Sequence, residues 1–276
     1  TDKSVDFIRR HKDRRFFLYL PHFAVHSPRQ AKKELIEKFK NKPAAGGHND
    51  PVYAAMIASL DESVGRVLAV LDELQLAENT LVIFSSDNGG VGGYVREGIR
   101  KRGDVTDNAP LRGGKGMLYE GGIRVPYIAR RPGTIAAGQV CDEPINSVDL
   151  YPTLLEVAGA KPPADHPLDG QSYATLLTGS EPDADRPPLF WHFPGYLGAG
   201  KDHWRTTPVG VIRDGDWKLM EFFEDGRLEL YNLREDIGET HNLAETMPEK
   251  VKELHAQLTA WRKQIDAPMP RANPRQ

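Results

Sequence analysis

The chain has 276 residues, 39% of them apolar, and carries 36 basic against 39 acidic side chains for a formal net charge of -3. That length and apolar content can bury a full core, as one large domain or two modest ones, and the near balance of charge gives no reason to expect a nucleic-acid partner. A single cysteine, Cys141, excludes an internal disulfide and a thiolate metal cluster, and apolar runs such as Phe16 to Leu20 fall far short of a membrane span.

In chain order, "RRFFLYLPHFAVHSP" reads as a short aromatic strand running into a Pro-punctuated loop that carries His22 and His26. From Pro51, the apolar residues Met56, Ile57, Leu60, Val64, Val67, Leu68, Leu71 and Leu74 recur every three or four positions, which predicts a long amphipathic helix with Pro51 in its first turn. Leu81 to Phe84, with β-branched Val82 and Ile83, reads as a strand buried on both faces, and helix followed by strand is α/β grammar. Residues 89–116 are rich in glycine and charge without a period, a long functional loop. "IRVPYIARRPG" predicts a further strand, "SVDLYPTLLEVAGA" a helix ending at Gly159, and Tyr173 to Leu177 a short helix after a proline-rich connector.

Past "SEPDADRPP" the pattern changes. "PLFWHFP", "VGVIRDGDWKLMEFF" and "GRLELYNL" are strands separated by Asp-Gly turns, an antiparallel sheet. A helix from about Thr246, with a Thr246-x-x-Glu249 capping box and apolar Val251, Leu254, Leu258, Trp261 and Ile265, should lie on that sheet. The tail "APMPRANPRQ" has too little apolar content to pack. Cys141 is expected to be a small buried or semi-exposed residue.

Two stretches could carry chemistry. "LVIFSSDNGG" ends an apolar run in Asp87-Asn88 and two glycines. This is either a tight hairpin turn or an acidic and an amide oxygen donor at a strand end, able to hold a hard cation or an anionic ligand. The long loop that follows returns nothing like a hairpin strand, which counts against the turn. In "PLRGGKGMLYEGGIRVP", glycines bracket Lys115, which suits a point charge delivered to an oxyanion; a solvated surface lysine is the plainer alternative. Glu120 and Arg124, four apart, could pair with each other.

"FFLYLPHFAVHSP", "VIFSSDNGG", "GGKGMLYEGGIRVPYIARRPG" with "SVDLYPTLLEVAG", and "ELYNLREDIGETHNLA", in this order, resemble the sulfatase family of the alkaline phosphatase superfamily over nearly the whole chain. The resemblance implies the remainder of an alkaline-phosphatase-like α/β sandwich domain over residues 1–185, followed by a small antiparallel sheet packed with a C-terminal helix over residues 186–276. It implies hydrolysis of small-molecule or carbohydrate sulfate esters with a divalent cation, usually calcium. Asp87 and Asn88 fall on the family's metal-binding pair, Lys115 on the lysine that contacts the sulfate, and His26 on the histidine near the leaving-group oxygen. Glu120 and Arg124 are read as shaping the loop, and His22 as structural. The family's formylglycine arises from a C/S-x-P-x-R motif, which this chain lacks, along with two further metal-binding aspartates. The chain is therefore expected to be the C-terminal part of a longer enzyme. A phosphate or phosphonate ester hydrolase of the same superfamily is one alternative. A non-catalytic chain binding sulfated glycans through Lys115, Arg112 and their basic neighbours is another. The segment "WHFPGYLGAGKDHWR" is a candidate substrate rim or simple aromatic packing. The lack of an Asn-x-Ser/Thr acceptor leans towards a bacterial origin, and, with the compartment not read from the sequence, a periplasmic or secreted location is favoured.

Overall fold

The computed structural model describes residues 1–99, 104–180, 186–200 and 203–271. They form two compact units. The first comprises Thr1–Ser85, Tyr127–Val140 and Leu177–Gly179; the second Ser86–Pro126, Cys141–Leu176 and Ser180–Gln276.

In the first unit, α1 (Asp2–His11), α2 (Lys33–Lys40) and α3 (Pro51–Glu73) are followed by β1 (Val82–Ser85) and β2 (Tyr127–Arg130). Helix α3 begins where the sequence predicts. Asp50 caps it by accepting from the Val52 and Tyr53 N–H groups, and Pro51 occupies the first turn, where no N–H is needed. Its Val70 and Leu71 bury against Ile8 of α1, and Phe16, Leu18 and Val82 pack on this cluster. The run Phe16 to Leu20 alternates as a strand should, with Phe17 and Tyr19 exposed, but it has no ladder partner among the described residues. Strand β1 pairs antiparallel with β2 in register Val82 to Arg130. It is half-buried rather than buried on both faces: Val82 packs on the α1/α3 cluster, while β2 exposes Ile128. The lysine-rich α2 was not foreseen: its short, mainly charged sequence carries too few apolar residues to show a period.

The second unit holds α4 (Glu120–Ile123), α5 (Leu150–Ala158), six strands and α6 (Pro248–Gln264). Helix α5 ends at Gly159 in the left-handed conformation, as predicted. The short helix expected over Tyr173 to Leu177 is a 3-10 turn, Leu176–Thr178. Strands β3 (Leu189–Phe193), β4 (Leu197–Gly200), β5 (His203–Thr206), β6 (Val209–Asp214), β7 (Trp217–Phe222) and β8 (Leu228–Asn232) form a four-stranded antiparallel sheet of order β3-β6-β7-β8 and a separate β4-β5 hairpin. The sheet is two-sided. Ile212, Leu219 and Leu230 point to one face, where α6 lays Leu254 and Leu258, while Val209, Val211, Met220 and Tyr231 fill the other.

The expected capping box is absent. Helix α6 starts at Pro248 after the N-cap Met247, and the Thr246 hydroxyl instead donates to the Leu243 carbonyl, because a proline at the first position already removes one N–H that needs a cap. Cys141 is exposed. Of the tail expected to be loose, residues 272–276 lie outside the described residues, but the Pro268 carbonyl accepts from His192 Nε2 at 2.8 Å.

Candidate functional site

Asp87 and Asn88 follow β1 in sequence, and the partner of β1 lies some forty residues further on, so Asn88-Gly89 is not a two-residue hairpin turn. Instead, the stretch 87–92 is laid against the stretch 112–122 by backbone bonds. The Lys115 N–H donates to the Gly90 carbonyl at 2.9 Å and the Gly89 N–H to the Gly122 carbonyl at 3.0 Å, while within the second stretch the Gly121 N–H donates to the Arg112 carbonyl at 2.7 Å. Asn108 staples the two together: its amide oxygen accepts from the Gly90 N–H, and its nitrogen donates to the Gly90 and Gly113 carbonyls at 3.1 and 3.0 Å.

The glycines are explained by this close approach. A Cβ on Gly89 would sit 1.8 Å from the Gly121 carbonyl oxygen, and one on Gly114 would sit 2.1 Å from that of Gly92. Only residues without a side chain let backbones meet this way. Asp87, Asn88 and Lys115 thus share one loop cluster of the second unit. His26 belongs to the first unit.

Asp87 is exposed and Asn88 half-buried, and the Asn88 side-chain nitrogen donates to the Gly89 carbonyl, which turns its amide oxygen the other way. Among the described residues, neither Asp87 nor Lys115 makes an ion pair. The carboxylate and amide oxygens fit a hard cation, which takes six to eight oxygens, so the pair can supply only part of a cage. No group of three or more His, Cys, Asp or Glu side chains able to hold a metal occurs among the described residues.

His26 is exposed, and its Nδ1 lies 2.8 Å from the Ser27 carbonyl. A carbonyl only accepts, so Nδ1 carries the proton and Nε2 is the atom left for chemistry. His22 is partly buried. Burial lowers its pKa and Ser63 lies 3.5 Å from its Nε2, a structural setting.

Beneath the loop cluster lies a charge network that the sequence reading did not identify. Lys218, on β7 and wholly buried, sits 2.9 Å from Glu120 Oε1 and 2.8 Å from Glu239 Oε1. Glu239 also accepts the Glu120 N–H at 2.7 Å, and Arg213 lies 3.6 Å from Glu120. Arg124, expected as the Glu120 partner, is half exposed and 3.8 Å away, the weakest of these contacts. Burial raises the Glu239 pKa, with Lys218 pulling it down. Because Glu120 begins the turn whose Gly121 and Gly122 hold Gly89, the network braces the cluster that carries Asp87 and Lys115. One signal was available in the sequence: Lys218 shares strand parity with apolar Met220 and Phe222. Asn108 gave no signal beyond a turn-forming Asn-Ala-Pro. Arg112, an expected glycan contact, is spent internally on Glu97, Tyr231 and the Glu239 carbonyl and stacks on Tyr119.

The sulfatase family model matches residues 1–160, and the model of N-sulphoglucosamine sulphohydrolase C-terminal regions matches residues 114–264. A sulfatase of Formosa agariphila is 39% identical over 97% of this chain and 50% of its own length. Human steryl-sulfatase is 37% identical over 74% of the chain and 33% of its own. The crystal structure of Ps i-CgsB in complex with k-i-k-neocarrahexaose superposes with a TM-score of 0.76 at 29% identity, covering 94% of this chain and 53% of that one. The chain therefore spans about half the length, or less, of the relatives it matches. With a family match over more than half of its residues, and with the glycine-braced Asp-Asn and Lys loops, this chain belongs to the sulfatase family of the alkaline phosphatase superfamily.

Proposed function

We propose that the chain is the C-terminal part of a sulfuric ester hydrolase, with residues 1–185 contributing to the catalytic α/β domain and residues 186–276 forming a small α+β subdomain. The observation that carries this reading is the Lys115 N–H bond to the Gly90 carbonyl, reinforced by Asn108. It holds an ammonium with no ion pair among the described residues and the Asp87-Asn88 oxygens on one cluster. Asp87 and Asn88 would hold a divalent cation, calcium in the family at large, which when bound adds positive charge beside the transferring group.

Lys115 binds the sulfate oxygens and neutralises charge that grows on them towards the transition state; its glycine bracket keeps side chains from crowding the anion. By family correspondence, His26 is the proton donor to the departing alkoxide. Its Nδ1–H is engaged by the Ser27 carbonyl, which leaves Nε2 as the atom that delivers the proton. The nucleophile, a formylglycine in the family, would lie outside this sequence. The substrate class is a small-molecule or carbohydrate sulfate ester, and no described helix is long and apolar enough to cross a membrane.

The test is Lys115→Ala in the protein carrying its nucleophile segment. Loss of a charge-assisted contact made in the transition state lowers kcat/KM by about 100- to 1,000-fold, with the urea midpoint unmoved. An undiminished kcat/KM with an aryl sulfate refutes the assignment.

A further inference from the structure

The β4-β5 hairpin covers the loop that presents Lys115. Leu197 Cδ2 and Arg205 Cδ lie 2.5 and 3.1 Å from the point where a Cβ on Gly116 would be. The Arg205 guanidinium carbon stands 5.2 Å from the centre of the fully buried Tyr94 ring, whose hydroxyl donates to the Lys115 carbonyl at 2.6 Å. Trp204, next to it on β5, points to the opposite face of the hairpin, where it meets Tyr196 at 5.1 Å and is half exposed. Of the aromatic segment expected to form a substrate rim, the residue packed against Gly116 and Tyr94, the neighbours of Lys115, is thus an arginine, and the tryptophan faces away.

Arg205 is unspent. Its Nε is buried and has no hydrogen-bond partner, and no carboxylate pairs with it among the described residues. The guanidinium presents its N–H groups in a planar fork, the geometry for a two-point contact with an oxyanion. Leaving such a donor buried without an acceptor is costly, so an acceptor is expected in the working state. Among the described residues, Arg96, Arg112, Arg124 and Arg213, near the same loops, already face carboxylates.

We propose that Arg205 is a specificity residue that binds a second anionic substituent, a sulfate or carboxylate, on the same substrate whose scissile sulfate contacts Lys115. This rests on the proposed role of Lys115. It predicts a preference for doubly charged esters over singly charged ones.

The test measures binding of D-glucosamine 6-O-sulfate and D-glucosamine 2-N,6-O-disulfate to the 276-residue chain by calorimetry, and follows the arginine Nε–H resonances by NMR. The intact chain should bind the disulfate at least tenfold more tightly and shift the Arg205 Nε–H signal with the disulfate only. Arg205→Ala should remove the preference while leaving monosulfate affinity unchanged, and Arg205→Lys, which keeps the packed stem, should retain part of it. A glucosamine 6-O-sulfate carrying a carboxylate in place of the N-sulfate tells the two anions apart. No preference in the intact chain, or a preference that survives in Arg205→Ala, overturns the proposal. Failure of the Lys115 reading is distinct: Lys115→Ala would then bind the monosulfate as well as the intact chain does.

Discussion

Replacing Lys218 with methionine keeps the volume of the side chain and removes its charge, which exposes the energetics of the buried network. The ammonium lies 2.9 Å from Glu120 and 2.8 Å from Glu239 with no solvent contact. At an effective dielectric constant of about 20, each contact amounts to roughly 6 kcal/mol of gross attraction. Most of that is offset by the cost of desolvating three charges. What the variant suffers is the penalty of leaving carboxylates buried without their cation, about 3–5 kcal/mol. All four tryptophans of the chain, Trp191, Trp204, Trp217 and Trp261, belong to the second unit, so their fluorescence during urea unfolding follows that unit. With an m value of about 2 kcal/mol/M, the midpoint should fall by roughly 1.5–2.5 M.

The deficit should also depend on pH. Burial already raises the Glu239 pKa above its ordinary value of 4.5, against the pull of Lys218, and removing Lys218 lets it rise further. A carboxyl raised in the fold holds its proton more tightly folded than unfolded, so the variant recovers stability as pH falls through that raised value and loses it as pH climbs. The Lys218→Met deficit should therefore be smaller near pH 5 than near pH 8. A loss under about 1 kcal/mol at neutral pH, or a deficit that grows on acidification, would refute the reasoning.

Two further substitutions probe the loop contact and the first unit. Gly89→Ala drives a Cβ to 1.8 Å from the Gly121 oxygen, so the two loops must part; the second unit should lose at least about 1–3 kcal/mol in the same fluorescence assay, and unaltered stability would contradict the close approach. Asp50→Ala removes the α3 cap and the Arg29 pair, at a cost of about 1 kcal/mol read from helical circular dichroism, while Asp50→Asn, which keeps the acceptor, should lose much less.

The long helix α3, the helix ending at Gly159, the four strands of the C-terminal sheet and α6 on its face were all legible, because each is written in short-range periodicity and turn residues. The stretches around Asp87, Lys115 and His26 were legible through family resemblance rather than periodicity. The 3-10 turn near Leu176 and the uncapped start of α6 were missed, since propensity says little where a proline or a tertiary contact decides a terminus.

Local pattern, then, determined which segments are helix or strand and which glycine-flanked side chains are candidates for chemistry. Tertiary structure alone decided that Asn108 joins the Asp87 and Lys115 loops, that Lys218 braces Glu120 from ninety-eight positions away, and that Arg205 rather than Trp204 packs against Gly116 and Tyr94. The physical reason is that hydrogen bonds and ion pairs act over about 3 Å in space with no regard to separation along the chain, while periodicity reports only the face a residue shares with its near neighbours.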